Sequence, residues 1–317
     1  MKAILTVFGK FRAASVVLII VLFSIMMSFL SRYYLTWNNL STTFIGMSAD
    51  GIMAIGMTMI LASGGIDLSV GAVLGMAGSI TGVLYIGGWN IFLACLIAVG
   101  MSLVIGLING VVISKTTISP MICTLATMTM ARGVALILTQ GSPQSLSSVP
   151  EAFRFIGKGA VFGIPTPIVI FITIAIIFAF LMNKSALFRK VYYVGSNEQA
   201  AEYSGISVFK TKIGVYLISA GLSSLAGILT ISRFLVATPA VGEGAEMTAI
   251  SVAVIGGAST RGGEGTVMGT VCGLILITLI NNALVLLNVS VYWQKLISGS
   301  ILLLAVLIDY FSHRKTN

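Results

Sequence analysis

Residues 62–82 read ASGGIDLSVGAVLGMAGSITG, an acidic turn set between two long apolar segments. Asp67 stands where the hydrophobic pattern would otherwise continue. The chain of 317 residues is 57% hydrophobic and only 9% charged. A bilayer core of roughly 30 Å needs about 20 apolar residues per helical span. The sequence therefore predicts an all-α polytopic membrane protein with about ten transmembrane helices and no separate soluble domain, so that residues 1–317 form one transmembrane domain.

The apolar segments locate these helices. We expect them at residues 13–30, 44–62, 69–86, 89–113, 121–139, 165–182, 213–231, 247–258, 265–287 and 296–310. The eighth segment, 247–258, is too short to cross alone at about 1.5 Å per residue. Because Pro239, Gly242 and Gly244 precede it, a broken helix beside a pathway is one interpretation. An outer loop followed by a short buried helix is the other, and both stay open.

The basic residues predict the orientation. With the amino terminus in the cytoplasm, twelve of the 18 Lys and Arg residues fall in cytoplasmic segments, five fall in outer loops, and Arg132 lies within a span. Lys2, Lys10 and Lys315 are among the twelve. The positive-inside rule then places both termini in the cytoplasm. The net charge of +9 needs no nucleic acid to explain it.

Several kinds of chemistry lack the residues that they require. No GxxxxGK[ST] phosphate loop occurs, so the chain itself cannot hydrolyse ATP by that route. The one histidine, His313, lies in the basic tail. Cys95, Cys123 and Cys272 all fall inside apolar segments and are expected to be unreactive. We predict no catalytic site, no metal and no cofactor, and therefore not an enzyme.

The predicted cytoplasmic loop 183–212 contains a short helix of its own. Asn197 is expected to cap it, residues 198–203 to form it, and Gly205 to end it. A small helix exposed to the cytoplasm is what a permease needs in order to receive force from a motor subunit. A solvated loop that only anchors the topology is the alternative.

Four segments together resemble one family. They are GGIDLSVG (64–71), VGSNEQAAEYSGI (194–206), AVIGGASTRGGEG (253–265) and NNALVLLNVSVYWQ (281–294). They closely resemble the membrane subunit, or permease, of ribose/xylose/arabinose-type ABC importers. The resemblance implies a ten-helix permease similar in architecture to the vitamin B12 importer, in the bacterial inner membrane. It also implies a cytoplasmic ABC ATPase, an extracytoplasmic sugar-binding protein and a second permease subunit as partners; the second subunit is expected to be another copy of this chain, with a heterodimer as the alternative.

The resemblance also implies a function and a coupling helix. The expected function is to move a monosaccharide, a pentose or a hexose, by alternating access; an autoinducer-like furanose, a polyol or a nucleoside stay open as substrates. The residues expected to couple to the ATPase are Asn197, Glu198, Ala201, Glu202, Ser204 and Gly205. Glu202 replaces a basic residue that is common in the family, and Thr248 replaces an aspartate. A self-contained secondary transporter would need several intramembrane ionisable groups, and only Asp50 and Arg132 qualify.

Further polar residues are predicted to act in the bundle. Asp67 is expected to accept backbone N–H groups at the start of the third helix, with gating or motor contact as the alternative. Glu246, Thr248, Asn281 and Asn282 are assigned to the substrate pathway, with Glu246 and the amides facing an outer vestibule; interhelical hydrogen bonds are the alternative for the amides.

Asp50 and Arg132 are expected to form an ion pair, because both lie roughly 9 Å below the outer surface by helical rise. Arg132 could instead extend outward to the interface. Glycines four residues apart are expected to be helix packing sites.

Overall fold

Helices form wherever the sequence is continuously apolar. The computed structural model describes residues 12–314 and contains thirteen helices in that range. They are α1 (Arg12–Leu30), α2 (Trp37–Ala62), α3 (Val70–Ile86), α4 (Ile91–Lys115), α5 (Pro120–Thr139), α6 (Glu151–Lys158), α7 (Thr166–Lys184), α8 (Ala186–Ser196), α9 (Glu198–Tyr203), α10 (Val208–Phe234), α11 (Ala245–Ile255), α12 (Val267–Leu286) and α13 (Val291–Arg314). Lys2, Lys10 and Lys315, which are among the twelve basic residues predicted to be cytoplasmic, lie outside the described residues.

Every one of the ten predicted spans corresponds to a helix. Six helices, namely α2, α4, α5, α7, α10 and α12, are long and apolar enough to cross a membrane. Shorter apolar stretches at Ser15–Leu30, Val70–Ile86, Ala245–Ile255 and Val291–Leu307 account for the other four. The prediction of an all-α polytopic membrane protein is therefore confirmed. The sequence did not predict α6, α8 or an earlier start of α2 at Trp37 instead of residue 44.

Two short strand pairs join the loops. β1 (Gln144–Ser145) pairs antiparallel with β4 (Val236–Ala237), and β2 (Ala160–Val161) pairs with β3 (Ile164–Pro165). All four strands follow helices that end on the same side as Trp89. We call this side the Trp89 end, and the side that carries α8 and α9 the Glu198 end.

Helix α2 lies at the centre of the bundle. Every residue of α2 from Gly51 to Ala62 is buried, as expected for a helix that is apolar on all faces. Helices α7, α10, α11 and α12 pack around it. Trp37, Trp89 and Trp293 are exposed at the Trp89 end, where amphipathic rings favour a membrane interface.

The glycine pairs are packing sites, as predicted. A Cβ on Gly106 would lie 2.7 Å from the carbonyl oxygen of Tyr216 in α10, and a Cβ on Gly110 would lie 2.7 Å from Ile213 Cα. Such short distances mean that α4 and α10 approach each other backbone to backbone. Close approach of this kind replaces the hydrophobic force that lipid does not supply between membrane helices.

The eighth apolar segment is discontinuous, as the broken-helix interpretation expects, whereas its position beside a pathway stays a prediction. After α10, residues 236–244 run along α3 in an irregular conformation. The segment contacts Gly82 through Ala237, Gly75 through the backbone of Val241, and Gly71 through Gly242. Helix α11 then adds 11 residues, or roughly 16 Å. Irregular backbone is tolerated at membrane depth here because the glycine face of α3 covers it.

Candidate functional site

The short helix α9 forms as the sequence predicted. The side chain of Asn197 accepts a hydrogen bond from the backbone N–H of Ala200 at 2.9 Å, which makes it the N-cap. Gly205, with φ of +79°, follows the helix in the left-handed conformation that favours glycine. Both ends of α9 are thus specified by local sequence.

Two contacts hold α9 against the bundle. Lys212 Nζ of α10 donates to Glu198 Oε1 at 2.6 Å and forms a salt bridge with it. Ala201 is buried. The remaining surface of the helix is exposed: Glu202 and Ser204 face solvent, and the Tyr203 side chain is 91% exposed. Sequence reasoning assigned Glu198 to an external contact and missed its internal partner, Lys212.

A backbone junction joins α8 to the centre of the bundle. A Cβ on Gly195 would overlap the carbonyl oxygen of Ala62 at the end of α2 and would lie 2.8 Å from the nitrogen of Gly263. The N–H of Gly263 donates to that same Ala62 carbonyl at 3.0 Å. Tyr192 donates its hydroxyl to the carbonyl of Gly265 at 2.8 Å, and burial raises the pKa of this phenol. The segment leading into α9 therefore contacts both α2 and the α11–α12 turn.

Asp67 lies in a buried polar network. Its Oδ1 accepts from the backbone N–H of Ser69 at 2.9 Å and from the Ser69 hydroxyl at 2.5 Å, and its Oδ2 accepts from Ser219 of α10 at 3.2 Å. Asn109 of α4 donates to Ser69 Oγ and accepts from Thr127 of α5. The N-cap of α3 is Ser69, so Asp67 holds that residue and also connects the turn to α10.

The predicted ion pair between Asp50 and Arg132 is wrong. Arg132 Nη1 donates instead to the backbone carbonyls of Pro239 and Val241, the latter at 2.9 Å. Asp50 and Arg132 were expected at the same depth because the second helix was predicted to begin at residue 44, whereas α2 begins at Trp37. Asp50 therefore lies near the middle of α2, roughly 20 Å from that helix end, whereas Arg132 lies roughly 10 Å from the corresponding end of α5.

Glu246 lies beside the start of α3. A Cβ on Gly71, the second residue of α3, would lie 2.5 Å from Glu246 Oε2. Thr248 Oγ1 makes only a long bond of 3.5 Å to the Gly244 carbonyl, within its own helix turn. The pathway role of both residues stays a prediction.

The two amides of α12 differ. Asn282 exchanges hydrogen bonds with Asn39 of α2 at 2.8 and 3.0 Å and donates to Thr43 at 3.0 Å. These are the interhelical hydrogen bonds of the alternative interpretation. Asn281 is half-buried, and its side chain makes no hydrogen bond within the described part of the chain.

Asp50 lines a cavity instead of pairing with Arg132. The cavity has a volume of about 310 Å³ and lies between α2, α7, α10 and residues 241–245. Arg233, which the predicted helix boundaries had placed in an outer loop, extends into it from the last turn of α10. Among the residues whose side chains the structure describes, no group of three His, Cys, Asp or Glu could hold a metal ion.

Comparison with known proteins identifies the family. The family described as "Branched-chain amino acid transport system / permease component" matches residues 39–306. Ribose import permease protein RbsC of Escherichia coli (strain K12) is 37% identical over 297 residues, covering 93% of this chain and 92% of that protein. RbsC of Bacillus subtilis (strain 168) is 36% identical, covering 90% and 88%. L-arabinose transport system permease protein AraH of Escherichia coli (strain K12) is 35% identical, covering 89% and 85%. The chain therefore belongs to this family of transport-system permease components.

Proposed function

We propose that this chain is the membrane-spanning subunit of an ABC importer for a monosaccharide, a pentose or a hexose. The observation that carries the proposal is the similarity to ribose and arabinose permeases along about nine-tenths of the chain. The discontinuous crossing beside α3 agrees with it, because broken helices in transporters typically adjoin the substrate route. Transport proceeds by alternating access and forms no covalent bond with the sugar.

The proposal includes the partners of an importer. Two copies of the permease surround a central route in the bacterial inner membrane, with both termini in the cytoplasm. A separate ATPase hydrolyses ATP, and an extracytoplasmic binding protein delivers the sugar. The excess of Lys and Arg at the Glu198 end supports the orientation.

We assign the contact with the ATPase to α9. Its exposed residues, Glu202, Tyr203 and Ser204, form the docking surface. Asn197, Glu198, Ala201 and Gly205 fix the position of that surface through the cap, the salt bridge to α10, the buried methyl group and the left-handed turn. A helix held this firmly moves as a body with α8 and α10, which is what force transmission requires.

Reconstitution tests this function. The permease is placed in proteoliposomes with the ATPase and the binding protein encoded beside it, and uptake of radiolabelled D-ribose, L-arabinose and D-allose is measured. We expect uptake of at least one sugar that requires ATP and stops with a hydrolysis-deficient ATPase. Uptake of a sugar without ATP or without the ATPase would contradict an ABC importer and favour a secondary transporter.

A further inference from the structure

Helix α8 lies across the Glu198 end of the bundle. It begins at Ala186, two positions after α7 ends at Lys184. Near its other end, Gly195 contacts the carbonyl of Ala62, the last residue of α2. Since α2 and α7 both end on this side, the two ends of α8 lie at about the same depth, although its 11 residues span roughly 16 Å. The helix therefore runs along the membrane surface instead of crossing the membrane.

One face of α8 packs against the bundle. Val191 and Val194 are buried. The Phe188 ring meets the Phe178 ring of α7 edge to face, with their centroids 6.1 Å apart. These contacts fix the rotation of α8 about its own axis, so the opposite face is held outward.

The outward face of α8 carries both basic and apolar side chains. Arg189 and Tyr193, four positions apart on one side of the helix, are exposed. Leu187 is 70% exposed, and Lys190, three positions later, is half-buried. A helix that presents Lys and Arg together with apolar or aromatic groups is typical of one lying in a membrane interface.

The end of α7 continues this face. Phe180 is 64% exposed on a membrane-spanning helix, so its ring faces lipid. Lys184 lies four positions later on the same side of α7 and is exposed. A lysine one turn beyond a lipid-facing ring extends its ammonium group to the level of the lipid headgroups.

The basic side chains of this region lack protein partners. Lys184, Arg189 and Lys190 fall within seven consecutive positions, and no acidic residue occurs between positions 183 and 197. Among the residues that the structure describes, none of these three side chains forms a hydrogen bond, an ion pair or a ring contact. The positive-inside rule explains the side on which they lie, but not their grouping around exposed Leu187 and Phe180. Basic clusters directly after a membrane helix attract anionic lipids, at about 1 kcal/mol for each Lys or Arg near the surface.

We infer that Lys184, Arg189 and Lys190 bind the phosphate headgroup of an anionic phospholipid at the rim where α7 meets α8. The acyl chains of this lipid contact Phe180 and Leu187. The charge of the site is complementary to an anionic headgroup and selects it over a zwitterionic one. This inference goes beyond the proposed function and does not depend on the transported solute. It places a lipid directly beside the segment that leads into α9.

Quenching of a single tryptophan by brominated lipids tests the site in the full-length permease. Leu187→Trp is introduced into a protein in which Trp37, Trp89 and Trp293 are replaced by phenylalanine. The protein is reconstituted into mixtures of phosphatidylglycerol and phosphatidylcholine, with either lipid brominated on its acyl chains. We expect phosphatidylglycerol to bind beside position 187 about fivefold or more tightly than phosphatidylcholine. High salt should reduce this preference, because it screens exposed charges.

Two triple variants with equal loss of charge show whether the site is specific. Lys184→Gln, Arg189→Gln and Lys190→Gln combined should bring the ratio of the two lipid binding constants to about one. The combined control Arg154→Gln, Lys158→Gln and Lys210→Gln removes three exposed basic side chains elsewhere and should leave the ratio unchanged.

Three results would overturn the inference. The first is equal quenching by the two lipids, and the second is a preference that survives the triple variant at the rim. The third is the absence of quenching by either lipid. In that case, protection of the tryptophan from aqueous iodide on addition of the ATPase would assign this face to the ATPase.

Discussion

Gly195→Ala is the sharpest test of how the segment before α9 is attached to the bundle. The new methyl group would overlap the Ala62 carbonyl oxygen and lie 2.8 Å from Gly263 nitrogen. Both neighbours are backbone atoms that share a hydrogen bond of 3.0 Å, so neither can move alone. Overpacking of this kind costs about 1–3 kcal/mol. We therefore expect a lower free energy of unfolding and weaker attachment of α8.

Gly214→Ala is the matched control for this change. Gly214 lies inside α10, and a Cβ there would have nothing within 4 Å. Alanine in an open helical position gains roughly 0.5–1 kcal/mol over glycine. The free energies of unfolding of the two variants should therefore differ by roughly 1.5–4 kcal/mol. The same added methyl group destabilises the protein at position 195 and stabilises it at position 214. Equal stability of the two variants would refute the close junction at Gly195.

Thermal unfolding of the detergent-solubilised protein provides the measurement. With Cys95 and Cys272 replaced by alanine, a thiol-reactive dye reports unfolding through Cys123, which is buried in the native bundle. In the reconstituted importer, Gly195→Ala should also lower the amount of sugar taken up per ATP hydrolysed, because α9 would move relative to α2. Gly214→Ala should leave that ratio at the wild-type value.

Three further predictions follow from the polar contacts. Asp67→Asn keeps an acceptor for Ser69 and should lower the melting temperature only slightly. Asp67→Leu leaves buried donors unsatisfied, at a cost of about 1–3 kcal/mol each, and should sharply reduce expression. The reverse ranking would contradict the role of Asp67 as an acceptor. Arg132→Ala frees the carbonyls of Pro239 and Val241, so it should lower the melting temperature more than Arg154→Ala, which removes an exposed side chain of α6. Glu198→Arg should uncouple ATP hydrolysis from uptake, and adding Lys212→Glu should recover part of the coupling; no recovery in the double variant would show that Glu198 acts only through the ATPase.

The sequence predicted the apolar helices and both ends of the short helix α9 well, because the signals for them are local. Continuous apolar runs predicted ten apolar helices, and Asn197 with Gly205 predicted both ends of α9. Helices α6 and α8 were missed because each is short, amphipathic and placed in a polar loop. The spacing of Phe153, which is fully buried, with Ile156 and Gly157 three and four positions later is helical and could have predicted α6.

The side-chain partners could not be predicted, because they depend on tertiary contacts. Asn282 bonds to Asn39, which is 243 positions away in sequence. Arg132 bonds to backbone carbonyls, which no side-chain pattern reveals. The expected Asp50 pairing failed through an error of seven residues at the start of α2, since each residue shifts the estimated depth by about 1.5 Å. Boundary errors of this size decide which intramembrane charges can meet.

Helix α2 links the Glu198 end of the molecule to the centre of the bundle. Asp50 faces the cavity, and Ala62, twelve positions later on the same helix, accepts the hydrogen bond at the Gly195 junction. The discontinuous crossing makes the same connection, because Ala245 lines the cavity while the turn after α11 contacts Gly195. These contacts are backbone to backbone, so they transmit displacement without depending on side-chain rotamers. A movement of α8 and α9 at the ATPase would therefore act on α2 and on the discontinuous crossing together, which is the mechanical requirement of alternating access.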